Sequence, residues 1–278
     1  MSHDVLPLHT HRADQSAGPG IVCATLYDEA FASIGWMCRN TLTRYGQKYG
    51  HDVISARSVV CDRPAPWHKV RLVQALFEYG YDHVFWVDAD AVVLESAPDV
   101  ANLIIYDKDL HLVKHAHTDY PEGVPNTGVF LIRNCRWSYE LLSRMWSLKQ
   151  YANATWWENA ALIDLLGLGG FEDVGIPPRT EGAIDERQIQ WLSERWNRLD
   201  REAPDGHAFV RHAAGRSKRY RLKTLPRWVN WPRALLHEAT RKPTPVDLTR
   251  YGIHGAVFHH KTDDSLSPPS DQVIRRAA

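Results

Sequence analysis

The sequence has no run of about 18 apolar residues, the least a membrane-spanning helix needs, so none is encoded. It also has no net charge, since 33 Lys and Arg balance 33 Asp and Glu. A neutral chain exerts no global field on nucleic acid or on a membrane surface, and neither is an expected partner. Cysteine is scarce. Cys23, Cys38, Cys61 and Cys135 show no metal-type pairing and read as reduced, structural thiols, which favours a reducing, cytoplasmic compartment. The first twenty residues are polar and His-rich without an apolar run, so no secretory signal is expected and residues 1–19 are expected to form a flexible tail. Acids are missing from His207 to His237, where Arg211, Arg216, Lys218, Arg219, Arg221, Lys223 and Arg227 stand instead. Such a run suits a diphosphate or another anionic surface, or a solvated loop, and the distal arginines are assigned to the loop.

What is present is a soluble globular composition, 44% hydrophobic and 24% charged, over 278 residues, enough for one large or two small domains. Eleven Trp point to stacking surfaces for flat or sugar-like ligands, or to a Trp-rich core. Gly20 to Leu26 reads as a first strand. Phe31, Ile34, Cys38, Leu42 and Tyr45 recur at helical spacing between Glu29 and Tyr49, and Gly50 is a stop. Asp52 to Ser55 is a second strand, completing a βαβ unit and implying a parallel sheet. After a loop from Asp62 to Pro66, Trp67 to Tyr79 reads as a helix ended by Gly80.

His83 to Leu94 is the most informative stretch. Val84 to Val87 suits a packed strand, and Asp88 and Asp90 follow it two apart. In extended backbone such residues point to the same side. Close carboxylates repel unless a positive group lies between them, and a hard divalent cation prefers oxygen ligands. The alternative is a turn in which Asp caps the strand end. Ligands of open α/β sheets bind beyond the carboxyl ends of strands, where both acids fall.

Further along, Pro98 to Tyr106 reads as a short helix, Leu110 to Val113 as a strand and His115 to Pro125 as a polar loop. Val129 to Ile132 is a buried strand, entered through Asn126-Thr127-Gly128, and Gly128 permits close backbone approach to a ligand or simply a turn. Ser138 to Leu148 is a helix. Another runs from Trp156 to Leu166, with Glu158 in its first turn, where the helix dipole favours an acid. After Gly169 the pattern weakens. Trp191 to Leu199 reads as a short helix or a loop, His207 to Arg211 as a strand, and residues beyond about 240 show little periodicity.

The ordered motifs Trp67-x-Lys69, Phe85-Trp86-Val87-Asp88-Ala89-Asp90, Asn126-Thr127-Gly128, Trp157-Glu158-Asn159 and His212-x-x-Gly215-x-x-Lys218 resemble the retaining GT-A glycosyltransferases. They are most similar to glycosyltransferase family 34, the galactosyl-, xylosyl- and mannosyl-transferase type, with a His-x-x-Gly-x-x-Lys ending also seen in family 8. The resemblance covers roughly residues 20 to 220. It implies an α/β, Rossmann-like GT-A fold with a mostly parallel central sheet flanked by helices and a catalytic domain over 20–220. Residues 221–278 match no known pattern and are expected to form a C-terminal extension that shapes an acceptor site, binds a partner or is partly disordered.

The resemblance also implies roles. Asp88, Asp90 and His212 would hold Mn2+ or Mg2+ on the diphosphate of a UDP- or GDP-sugar, the imidazole favouring Mn2+. Lys218 would add a second cation to the leaving group. Thr25 and Tyr27 would hold the nucleotide, and Lys69, Ala89, Asn126, Gly128 and Gly215 would line the donor. Glu158 and Asn159 would serve catalysis beneath the donor sugar, and a carbohydrate or other hydroxyl would accept it. Retention would proceed by double displacement or by front-face attack, with family precedent on the front-face side. Two departures stand out. Glu158-Asn159 replaces the usual acidic-Gln pair, and the membrane anchor common in family 34 is not seen, which points to a soluble bacterial relative; a homo-oligomer is left open. The competing readings are a nucleotidyltransferase, against which Leu26-Tyr27-Asp28-Glu29 lacks a Gly-rich phosphate loop, and a non-catalytic nucleotide- or sugar-binding module.

Overall fold

Strand β1 (Ile21–Leu26) is buried at every position. A strand of that kind must be covered on both faces, as in a parallel sheet between helices. The computed structural model describes residues 20–117, 120–169, 175–176, 184–200, 207–229 and 244–259. The expected tail, 1–19, lies outside them, as do 230–243 and 260–278 of the expected C-terminal extension.

β1 pairs in parallel with β2 (Asp52–Ala56) on one side and β4 (His83–Val87) on the other. Between β1 and β2 runs α1 (Ala32–Tyr49), ended by Gly50 at φ 72°, whose N–H reaches the Gly46 carbonyl. Between β2 and β4 come the short strand β3 (Ser58–Val59) and α2 (His68–Tyr79), ended by Gly80 at φ 108°. Both glycines stand where a side chain would be strained. The alternation of β4 divides the core. Phe85 and Val87 pack with Cys38, Leu42 and Tyr45 of α1. Val84 and Trp86 pack on the other face with α2, α3 (Arg136–Ser147) and α4 (Trp157–Leu165). Burying each large apolar side chain in these layers contributes roughly 1.5–3 kcal/mol.

The sheet continues through β7 (Tyr120–Arg133), β6 (Leu110–His117) and β8 (Ile189–Leu192). On the far side of β2 it gains β13 (Val257–His259) and β11 (Thr244–Pro245). Strands β11, β2, β1, β4, β6 and β8 run one way, and β7 and β13 run against them. The GT-A arrangement with a mostly parallel central sheet is thus the fold the chain adopts. A second sheet of β5 (Ala91–Val93), β10 (Val210–His212) and β9 (Arg198–Leu199) stands beside it, and β12 (Ile253–His254) pairs with β3.

The structure departs from the local expectations at several points. Residues 115–117 and 120–125 are strand, not loop: Lys114 pairs with Pro125, His115 with Val124 and His117 with Tyr120. Cross-strand backbone bonds hold this hairpin, and polar side chains carry no mark of them. Residues 191–199 hold the end of β8, a 3-10 turn at Glu194–Asn197 and β9. Near the C-terminus Leu248, Ile253 and Phe258 are buried in the main core, so 244–259 folds onto the sheet despite its weak pattern. The boundary expected at residue 220 falls inside α5 (Lys218–Trp228).

The core also holds a pH-sensitive element. Burial pushes the His83 imidazole down from its usual 6.5 to about 4, with Asp82 and Asp109 opposing and His111 and Arg133 reinforcing the fall. His111 is lowered as well, chiefly by burial. The unfolded chain takes up protons below pH 6.5 that the folded chain refuses. Stability is therefore complete above about pH 6.5 and declines as the pH drops toward 4, by about 3 kcal/mol from His83 alone. Urea unfolding at pH 7 and pH 4.5 checks this. His83→Gln is expected to flatten the dependence, and an equally steep loss in that variant would contradict it.

Candidate active site

Strand β4 ends at Val87, and the chain turns there: the Ala91 N–H donates to the Asp88 carbonyl at 2.9 Å. Strand β7 runs antiparallel to β4, so its residues 126–128 arrive at the same end, and the Asp88 N–H donates to the Gly128 carbonyl at 2.8 Å. The β6–β7 register jumps here, from Leu112 opposite Phe130 to Val113 opposite Asn126. Residues 127–129 are left unpaired to β6. Bulges of this kind re-aim side chains and are common beside active sites.

His212 enters from the second sheet. It pairs with Ala91, and the Ala213 N–H donates to the Asp90 carbonyl at 3.0 Å. Asp88, Asp90 and His212 bring one ligand atom each within 4.8 Å of one another. The room for His212 exists because residue 128 is glycine: a Cβ there would lie 2.2 Å from His212 Cε1 and 2.7 Å from Nδ1.

The hydrogen-bond network fixes the His212 tautomer. The Gly128 N–H donates to Asn126 Oδ1 at 2.9 Å, which identifies that atom as oxygen. Asn197 Nδ2 donates to the same oxygen at 3.0 Å. Asn197 Oδ1 is therefore left to accept from His212 Nδ1 at 2.9 Å. With a proton on Nδ1, the ring places Nε2 3.1 Å from Asp90 Oδ1, as a donor in the imidazolium and as a lone pair in the neutral ring. A lone pair facing a carboxylate is unfavourable unless a cation lies there. Two carboxylates and an imidazole of fixed tautomer form a donor set that fits a divalent cation such as Mn2+. Burial alone would raise the Asp90 carboxyl, but His212 and the Arg221 guanidinium, 2.7 Å from Oδ2, hold it well below the usual carboxylate range.

On the α2–α4 side, Lys69 is the pivot. Its Nζ lies 2.8 Å from Asp88 Oδ1, 2.8 Å from Glu158 Oε1 and 3.0 Å from the Thr127 carbonyl. Three acceptors use all three ammonium protons. Burial would lower the Lys69 pKa, but Asp88 and Glu158 raise it well above its usual value. Glu158 is 3% exposed. Burial raises its carboxyl, Lys69 opposes, and Asp88 adds to the rise. The two carboxylates together raise Lys69, while the one cation they share does not outweigh burial at Glu158. Glu158 Oε1 also accepts from Thr127 Oγ1 at 2.9 Å, whereas Oε2 is buried with no hydrogen-bond partner. Asn159 accepts the Thr127 N–H at 2.9 Å and donates to the Pro125 carbonyl at 3.1 Å, which ties α4 to β7. Trp86 Nε1 donates to Asp88 Oδ1 at 2.7 Å.

These groups line one cleft of about 830 Å3. Of the residues singled out in the sequence, Tyr27, Lys69, Asp88, Ala89, Asp90, Asn126, Gly128, Glu158, Asn159, His212 and Gly215 all line it. Thr25 does not: it is fully buried, and its hydroxyl accepts from Cys38 Sγ at 3.5 Å. Cys38 itself is pushed up to about 12 by burial, as befits a structural thiol. Lys218 does not line the cleft either, since its Nζ donates to the Ala30 carbonyl at 2.5 Å. Tyr27 packs its ring against Gly35 of α1, where a Cβ would come within 2.1 Å. Of the tryptophans, Trp67 and Trp196 are core, Trp86 is buried yet also lines the cleft, and Trp156 and Trp157 form part of the cleft wall. Sequence reasoning missed Asn197 and Arg221. Asn197 lies in the unpatterned stretch and carries no signal. Arg221 stands three residues beyond Lys218, one helical turn along α5, and that spacing was the available sign.

Known proteins share this architecture. A glycosyltransferase involved in the glycosylation of the major capsid of PBCV-1 superposes with a TM-score of 0.57 at 17% identity, over 75% of this chain and 100% of that one. The glycosyltransferase GlyE of Streptococcus pneumoniae TIGR4 superposes with a TM-score of 0.54 at 14% identity, over 80% of this chain and 63% of that one. In sequence, 116 residues are 29% identical to Glycosyltransferase 6 of Arabidopsis thaliana, covering 38% of this chain and 26% of that protein. Residues 64–229, more than half of the chain and nearly all of the cleft, match the family model described as nucleotide-diphospho-sugar transferase, and the chain belongs to that family.

Proposed function

We propose that the chain is a divalent-cation-dependent glycosyltransferase that moves a sugar from a nucleoside diphosphate to an acceptor hydroxyl with retention at the anomeric carbon. The observation that carries this reading is the meeting of the Asp88–Asp90–His212 cluster with the Lys69–Glu158 pair across one cleft. Asp88, Asp90 and His212 would hold Mn2+ or Mg2+, which when bound neutralises charge on the departing diphosphate.

The chain's own residues do the rest. Tyr27 and the end of β1 bound the cleft on the side suited to the nucleotide, with Arg57 stacked 4.7 Å from the Tyr27 ring. Asn126, Gly128 and Ala89 border the sugar. Glu158 is held rigid by Lys69 and Thr127 beneath the cleft, where its carboxylate places a fixed negative charge under a developing oxocarbenium ion. In a front-face reaction the acceptor proton passes to the leaving phosphate oxygen, and Glu158 needs no covalent bond to the sugar.

The test is a panel of UDP- and GDP-sugars with Mn2+, Mg2+ or EDTA, read by release of nucleoside diphosphate and by the anomeric coupling constant of the product. Turnover of one donor, abolished by EDTA and by Asp90→Asn, with retained configuration, is expected. Turnover in EDTA or an inverted product would overturn the reading.

A further inference from the structure

We infer that Arg221 is the side chain that grips the donor diphosphate, and that before the donor arrives it holds Asp90 in place of the metal. This rests on the proposed function of the cleft. Arg221 lines that cleft, with Nη2 2.7 Å from Asp90 Oδ2 and Nε donating to the Ala213 carbonyl at 3.2 Å. Its guanidinium lies 5.2 Å from the centre of the Phe31 ring, which lines the same cleft. Both Asp90 oxygens are thereby engaged, Oδ1 by His212 and Oδ2 by Arg221.

A guanidinium cannot shed its proton. A divalent cation coordinated by Asp90 and an arginine 2.7 Å from the same carboxylate therefore repel each other, and the cation displaces the arginine. Once freed, Arg221 faces whatever anion the cation brings. Its planar fork matches two phosphate oxygens, which an ammonium cannot do. Lys218, the cation the sequence motif singles out, is turned away onto the Ala30 carbonyl. The consequence is a pair of effects of opposite sign. Arg221 opposes the metal when the metal comes alone and favours it when it comes with a diphosphate, so the cleft selects the metal–nucleotide complex over the bare ion.

The experiment measures two affinities on the wild type, Arg221→Met, Arg221→Lys and Lys218→Met. The first is for Mn2+ alone, by electron paramagnetic resonance. The second is for UDP and GDP at saturating Mn2+, by calorimetry. Arg221→Met is expected to bind Mn2+ alone several-fold more tightly than the wild type, and to bind the nucleotide about ten-fold more weakly. Arg221→Lys, which keeps the charge without the fork, is expected to recover part of the nucleotide affinity, and Lys218→Met to cost less than Arg221→Met. Arg221→Met moving both affinities in the same direction, leaving both unchanged, or costing less than Lys218→Met would overturn the inference while the wild type still bound metal and nucleotide. A wild type that bound neither Mn2+ nor either nucleotide would remove the reading of the cleft itself.

Discussion

Lys69→Met is expected to destabilise the fold by about 3–5 kcal/mol, the cost typical of breaking a buried ion pair from one side. Lys69 is 5% exposed and holds Asp88, Glu158 and the Thr127 carbonyl at once. Methionine fills nearly the same volume but leaves Glu158 with one bond, from Thr127, and an oxygen that has none. The deficit depends on pH with a definite sign. Without Lys69, the Glu158 carboxyl in the folded chain rises further above its unfolded value, so the variant regains stability as the pH falls and Glu158 takes a proton. Urea unfolding at pH 7 and pH 5 reads both effects. Adding Glu158→Gln to Lys69→Met is expected to restore part of the loss at pH 7, because no buried charge is then left unpaired. A Lys69→Met variant as stable as the wild type at pH 7 would show that the three contacts carry no net energy.

Gly128→Ala is expected to weaken Mn2+ binding by about ten- to a hundred-fold, the range seen when the support of a metal ligand is disturbed. No unusual backbone angle is involved. The new methyl group would lie 2.2 Å from His212 Cε1, so the ring must move. It cannot move freely, since Nδ1 is tied to Asn197 and the ring is 3% exposed. The strain of one added methyl in a packed site costs a further 1–3 kcal/mol of stability. Titration of Mn2+ against the folded variant separates the two consequences. Unaltered affinity would mean that His212 is not a ligand.

Parts of this site were legible in the sequence for identifiable reasons. Asp88 and Asp90 stand out because a strand of buried residues runs straight into them. Gly128 and Glu158 were visible as residue types at element starts, but each had an ordinary explanation there, and only the register of β7 against β4 shows what they touch. The hairpin of β6 and β7 was hidden because its outer half is polar and its pairing is carried by backbone. The strands near the C-terminus were hidden by brevity: β13 has three residues, and its place beside β2 depends on contacts some two hundred residues apart, such as Ser55 with His259 at 2.9 Å. Asn197 was beyond reach. Its function is to fix a tautomer through two asparagines and a backbone N–H, and no periodicity reports on that. Lys218 and Arg221 show the limit of a motif. The spacing indicates which turn of helix meets the cleft, and the side-chain geometry decides which cation faces into it.

Thermal unfolding with UDP, GDP, CDP or dTDP, each with and without Mn2+, reads directly whether the cleft takes a cation-bridged diphosphate. A ligand that binds only the folded chain raises its stability by mass action, by about 2.7 kcal/mol at a hundred times its Kd. The expected result is a rise with one nucleoside diphosphate, seen only when Mn2+ is present and lost in Asp90→Ala. No rise with any of the four, or an equal rise without the metal, would contradict a cation-bridged diphosphate held by Asp88, Asp90 and His212.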